Sequence, residues 1–358
     1  MMIRTGSNRT AIAFAASLLF AAAPVAAQLP SASASTLALA GNNTANVQTI
    51  GAISVNPAGL GTEGSGFTLA ILPVQVRTGL SPITLGDIAQ FQGIRLPDAT
   101  KEEWLTLVEA AGGQNGVVGA EVSGLAFTMG NFGFQLSTVA SGDVVLPTGL
   151  VEAVLYGNAG RTGTPADLSL LDASIQSFAV TTAGASLAFP VSPQLVLGVT
   201  GKYMKGNALA VGRSTSGAID SDPIRATLDF ALVSTCMDEV DCEQDFVSGG
   251  SGVGLDLGGM LDLGSIRLGA SLQNVVNTFA WDETKLGYRP GTLLIDDGTS
   301  ESDFDEQSFD NAPTDLKEIV RAYTFDPGYR LGAALDVNSA LTLTADIHGE
   351  LGDGIALG

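Results

Sequence analysis

Pro193-Gln194-Leu195-Val196-Leu197-Gly198-Val199-Thr200-Gly201-Lys202-Tyr203-Met204-Lys205 alternates with a period of two. Leu195, Leu197, Val199 and Tyr203 share one face, and Gln194, Gly198, Thr200 and Lys202 share the other. That is the pattern of a strand with one apolar side. Residues 265–276 repeat it, with Ile266, Leu268, Ala270 and Leu272 opposite Arg267, Gly269, Ser271 and Gln273. So do Leu341, Leu343, Ala345 and Ile347 against Thr342, Thr344, Asp346 and His348. Segments 251–262 and 329–336 place Asp256 and Asp336 on the small or polar face.

These segments meet at tight turns at 128–131, 190–193, 262–265 and 336–340. Between the turns lie long connections at 77–116, 141–173, 206–250 and 277–327. Short reversals at one end and long loops at the other predict an all-β chain, a transmembrane antiparallel up-and-down β-barrel. The alternation predicts nine strands, at 66–76, 117–128, 131–141, 174–189, 193–205, 251–262, 265–277, 328–336 and 340–349. Bacterial single-chain barrels close with an even number, so the barrel of residues 66–358 is expected to be incomplete at its C-terminus. A secreted β-sandwich would show the same parity with its aliphatics turned inward. The short/long rhythm, the charge-poor strands and segments of about ten residues, enough to cross a bilayer when tilted, favour the barrel.

The chain carries 37 acidic and 16 basic residues, a net charge of −21. The four long connections hold 29 of the acids, which leaves the strands nearly uncharged, as a lipid-facing wall requires. Such acidity speaks against a nucleic-acid partner. The 45 glycines are concentrated in the apolar segments, where strong barrel curvature favours small side chains. The first 27 residues read as a secretory signal peptide: Arg4 and Arg9, an apolar run from Ala11 to Ala23, then Val25-Ala26-Ala27 before Gln28.

Thr100-Lys101-Glu102-Glu103 reads as a capping box opening a helix that ends at Gly112-Gly113. Shorter helices are expected over 86–91 and 149–156. They would pack on the rim or fold into the mouth of the barrel.

No catalytic set and no cofactor are predicted. His348 is the one histidine and lies in a predicted strand, as one polar residue of the barrel interior. Gly201-Lys202 lacks the first glycine of a phosphate loop, because position 196 is Val. Residues 249–254 lack dinucleotide-binding spacing and lead into a strand. Cys236 and Cys242 share one acidic loop, and in an exported chain they are expected to form a local disulfide. Two carboxylate clusters, at 238–245 and 296–306, are expected to be solvated loops. Their oxygens also suit a hard cation, with Asp238, Asp241, Asp303 and Asp305 as candidates, although neither stretch has the calcium-loop spacing.

Ahead of the first strand stand Gly41-Asn42-Asn43-Thr44-Ala45-Asn46 and Val55-Asn56-Pro57-Ala58-Gly59-Leu60. This Asn-Pro-Ala-Gly box resembles the FadL-like long-chain fatty-acid transporter superfamily of outer-membrane barrels. With Leu155-Tyr156-Gly157-Asn158, the chain looks nearest the uncharacterised and TraF-like branches. The resemblance implies a wall of about fourteen strands. It also implies that residues 28–65 form an N-terminal hatch inside the barrel, with Asn56, Pro57, Ala58 and Gly59 as its motif. The expected function is a passive channel for small hydrophobic or amphipathic compounds, set in the outer membrane of a Gram-negative-type bacterium among its lipids. The alternative is a barrel that serves as a docking or assembly platform, meeting a protein partner through its extracellular loops.

Overall fold

The computed structural model describes residues 41–62, 66–157, 159–164, 168–221, 224–235, 249–296 and 299–351, together with residues 29, 36, 38, 39, 356 and 357. The expected signal peptide lies outside the described residues.

An inner segment comes first: helix α1 (Thr49–Val55) and a single 3-10 turn (Pro57–Gly61). The wall follows with β1 (Thr68–Ile71) and β2 (Val74–Ser81), then helices α2 (Leu85–Gln90) and α3 (Asp98–Ala111). Next come β3 (Gln114–Met129), β4 (Phe132–Leu146), helix α4 (Thr148–Tyr156), β5 (Ser174–Pro190), β6 (Leu195–Ser221) and β7 (Ile224–Ser234). After these run β8 (Gly250–Asp262), β9 (Ile266–Asn277), β10 (Ala280–Trp281), β11 (Gly287–Asp296), β12 (Thr299–Phe304) and β13 (Gln307–Ser308). Helix α5 (Thr314–Ala322) precedes β14 (Gly328–Asn338), β15 (Leu341–Glu350) and the short β16 (Ala356–Leu357).

Hydrogen bonding orders the wall β1-β3-β4-β5-β6-β8-β9-β14-β15-β16, and its main ladders are antiparallel. With β1 and β2 taken as one interrupted strand on β3, this is the nine-strand meander that the alternation predicts, with the unpredicted two-residue β16 added on β15. The interruption falls at Leu72-Pro73, where Leu72 adopts φ 55° and Pro73 has no N–H to give a ladder.

Facing follows from period two. Leu197, Leu268 and Leu343 are 47%, 42% and 54% exposed, while Thr200, Ser271 and Asp346 on the opposite face are at most 3% exposed. Stacked sheets would bury those leucines, so the wall curls with its polar face inside.

Three expectations need correcting. The connection 206–250 is not a plain loop: β6 runs on for 27 residues, and β7, β11 and β12 extend the sheet beyond the wall. The capping box forms at Thr84–Asp87 rather than at Thr100. The helix expected from Thr100 opens at Asp98, after Pro97, and Gly112 ends it in the left-handed conformation at φ 76°. Helix α5 was not anticipated. Its Leu316 and Val320, four residues apart, turn one face into an apolar cluster with Phe178, Met204, Trp281 and Phe325.

Candidate functional site: the interior of the wall

The inner face is layered along the strands. At the short-turn end lies the inner segment, where Ile53, Val55, Ala58 and Leu60 pack with Ala188, Val196 and Met260 of the wall. At the long-connection end, α5 and Phe325 cover Val139, Phe178, Val180 and Met204. Helices α3 and α4 pack outside this layer, around Leu105, Val108 and Val151.

Glycine shapes the seat of the inner segment. A Cβ on Gly198 would stand 2.2 Å from Ala58 N, and one on Gly258 would stand 2.2 Å from Asn56 Oδ1. On Gly269 it would reach 2.4 Å from Thr44 O. These glycines are therefore not there for curvature alone, as composition suggested. They leave room for the backbone of a second layer to lie on the sheet.

The motif residues meet there. Asn56 Nδ2 donates to Thr44 O (3.0 Å) and to Gly259 O (3.1 Å), and its Oδ1 accepts from Ala58 N (3.2 Å). Pro57 opens the 3-10 turn, where its missing N–H costs nothing. Gly59 is required by crowding, since a Cβ would lie 2.2 Å from Val47 O.

Wall side chains cap the last carbonyls of α1. Gln273 Nε2 donates to Ser54 O and Ser271 Oγ to Val55 O, each at 2.8 Å. Upstream, Asp346 Oδ2 accepts from Thr44 N (2.9 Å) and Thr44 Oγ1 (2.7 Å). Arg267 donates to Asn46 Oδ1 and bidentately to Asp336 (2.9 and 3.0 Å). No backbone–backbone hydrogen bond joins the inner segment to the wall among the described residues.

Between the two packed ends sits a buried ion pair. Lys202 Nζ lies 2.6 Å from Asp256 Oδ1, with side chains 1% and 5% exposed. Beside it β9 bulges: Leu255 pairs with Val276, but Leu257 pairs with Leu272, which leaves 273–275 opposite Asp256 alone. Asn274 takes φ 53° there, an uncommon conformation for a side-chain-bearing residue. Its N–H donates to Asp256 Oδ1 (2.7 Å), and its side-chain carbonyl accepts from Lys202 Nζ. Its Nδ2 donates to Asp326 O (3.2 Å), which ties the bulge to the covering connection. Alternation placed Lys202 and Asp256 on the inner face. Asn274 was missed, because a bulge breaks the parity on which that reading depends.

The other candidates do not join this site. His348 sits on β15 opposite Arg330 of β14, two residues from Asp346 and so on the same inner face. Asp303 and Asp305 are exposed at the end of β12, and no metal-binding group of His, Cys, Asp or Glu occurs among the described residues. Cys236, Cys242, Asp238 and Asp241 lie outside the described residues.

A pocket of about 570 Å³ opens at the short-turn end, below the inner segment. Gln48, Thr62, Gln194, Asp262 and the Arg267–Asp336 pair line it. No helix among the described residues is long and apolar enough to cross a membrane, which has no bearing on crossing by strands.

Comparison with known proteins gives a match over residues 65–342 to a family described as "Family of unknown function (DUF5723)". No curated protein matches the chain. Among solved structures, a "TodX monoaromatic hydrocarbon channel deltaS2 mutant" is similar at 13% identity and a TM-score of 0.41, covering 88% of this chain and 72% of that chain.

Proposed function

We propose that this chain, which belongs to the DUF5723 family of unknown function, is a hatch-closed channel of the bacterial outer membrane for small hydrophobic or amphipathic compounds. One observation carries the reading. The inner face of the wall is covered by a segment that, among the described residues, takes no part in the ladder and is held by side-chain hydrogen bonds and glycine seats. Such a segment can leave without breaking a strand, so a passage can open while the wall stays intact. In this reading residues 28–65 are the hatch and 66–358 the barrel.

The outward leucines support a lipid-facing wall, since lipid takes up apolar side chains that water would not. The apolar layer under α5 offers a permeant about 25 cal/mol per Å² of buried apolar surface. The Lys202–Asp256–Asn274 cluster then lies across the path between that layer and the hatch. Uptake of labelled hydrophobic compounds should fall in cells lacking the protein. Unchanged uptake across a broad panel would overturn the channel reading.

A second reading rests on a different observation: β6, β7, β11 and β12 build a sheet beyond the wall. That sheet would suit a docking platform for a protein partner. Crosslinks from 301–310 to one specific protein, with no uptake defect, would favour it.

A further inference from the structure

We infer that the inner segment lets go first along its Gly41–Asn43 edge, against β14 and β15, and turns about its Asn56–Ala58 end. The inference rests on the hatch reading and adds where the hatch opens.

The two ends are held differently. At the Asn56 end every side-chain polar atom of the motif is used: both N–H groups and the carbonyl of Asn56 have partners. The carbonyls of Ser54 and Val55 accept from Gln273 and Ser271. Gly198 and Gly258 receive Pro57 and Ala58 with no space to spare.

The other end is held thinly. Asn42 Oδ1, Asn43 Oδ1, Arg330 Nε, Asp346 Oδ1 and His348 Nδ1 are all buried without a partner among the described residues. Asn43 and Asp346 are each only 3% exposed. Five of the eight such atoms among the described residues therefore fall on this one seam, so its hydrogen-bonding capacity is left partly unmet. What holds the edge to the wall is Arg330 Nη1 on Gly41 O, at a long 3.3 Å, and the grip of Asp346 on Thr44, while within the segment Gly41 N and Asn43 Nδ2 donate to Thr36 O and Thr36 Oγ1, each at 2.8 Å. Thr44 O is also held by Asn56, so Thr44 marks the boundary between the edge that lifts and the end that stays. Lifting 41–43 exposes unmet polar groups to water, which is favourable, whereas lifting 56–58 strips hydrogen bonds that are already made.

Hydrogen exchange of the full-length protein in lipid nanodiscs tests this. Amides at 41–43 should exchange roughly tenfold faster than those at 56–61. Asp346→Asn should speed 41–44 by roughly a further tenfold and leave 56–61 within about twofold. Thr44→Val, which removes one hydrogen bond and keeps the carboxylate, should shift 41–44 in the same direction by less. Unchanged amides in β8 would show that the wall is intact in either variant. Equal or reversed protection of the two ends in the unmodified protein would overturn the inference, as would variants that speed both ends alike. Absent uptake with this asymmetry intact would instead count against the channel reading alone.

Discussion

Lys202 Nζ stands 2.6 Å from Asp256 Oδ1 on neighbouring strands, diagonally across a ladder that pairs Lys202 with Gly254 and Thr200 with Asp256, and both side chains are sealed from solvent. Breaking such a pair leaves an uncompensated buried charge. Replacing both partners by apolar groups removes the need for either. Lys202→Met should therefore destabilise the protein by about 3–5 kcal/mol, and Lys202→Met with Asp256→Leu should recover only part of that loss, because it also strips Asn274 of its N–H acceptor and of the donor to its side-chain carbonyl. Urea unfolding in detergent, followed by tryptophan emission, would measure both. A single variant as stable as the double would mean that the pair is not buried as described.

Gly198→Ala and Gly258→Ala place a methyl group where atoms of Asn56, Pro57 and Ala58 already stand. Each should cost about 1–3 kcal/mol in docking of the inner segment. Gly201→Ala on the same strand meets nothing within 4 Å and should be close to neutral. Hydrogen exchange of 47–61 in the three variants separates these outcomes.

Asn56→Ala removes three hydrogen bonds and leaves the carbonyls of Thr44 and Gly259 without that donor. The expected loss is about 2–4 kcal/mol. In planar bilayers this variant should conduct more often than the unmodified protein. Unaltered conductance with unaltered hatch protection would remove Asn56 from the hatch motif.

Leu197→Arg places a cation on the outward face, at a residue now 47% exposed. If that face meets hydrocarbon, folding into vesicles should lose about 2–4 kcal/mol, while stability in a water-soluble form would barely change. Normal folding into bilayers would count against a lipid-facing wall.

Arg321 donates its Nε and Nη2 to the two carboxylate oxygens of Glu283, at 2.7 and 2.8 Å. This hydrogen bond holds the Glu283 carboxyl below its ordinary value. A depressed carboxyl contributes stability above its unfolded pKa, and that contribution is lost as pH falls through the folded value. Docking of α5 should therefore be insensitive to pH near neutrality and loosen only in acid, below about pH 4. Emission from Trp281, in the same apolar cluster, reports it. Glu283→Gln should flatten the acid limb.

Much of the wall was legible because its strands obey period two. The face of Leu195, Leu197, Val199 and Tyr203 could be separated from that of Gly198, Thr200 and Lys202 without coordinates. Helix α3 was legible from Gly112 at its end. Helix α5 was not, since its apolar face is only Leu316, Ile319 and Val320 within an acidic connection, and most of its partners are contributed by strands far away in sequence. The extension of β6 was missed for a related reason: outside the wall its residues lose the alternation of aliphatic and small or polar side chains that the wall strands keep.

By itself the sequence determined the nine main strands of the wall, their short turns, and which residues share a face, because each of these depends on neighbours along the chain. Only the tertiary structure decided why Gly198, Gly258 and Gly269 are glycines, and why Asn274 leaves its strand's parity to join Lys202 and Asp256. Those facts depend on the distance between segments up to 302 residues apart, such as Thr44 and Asp346, and local alternation carries no record of that distance.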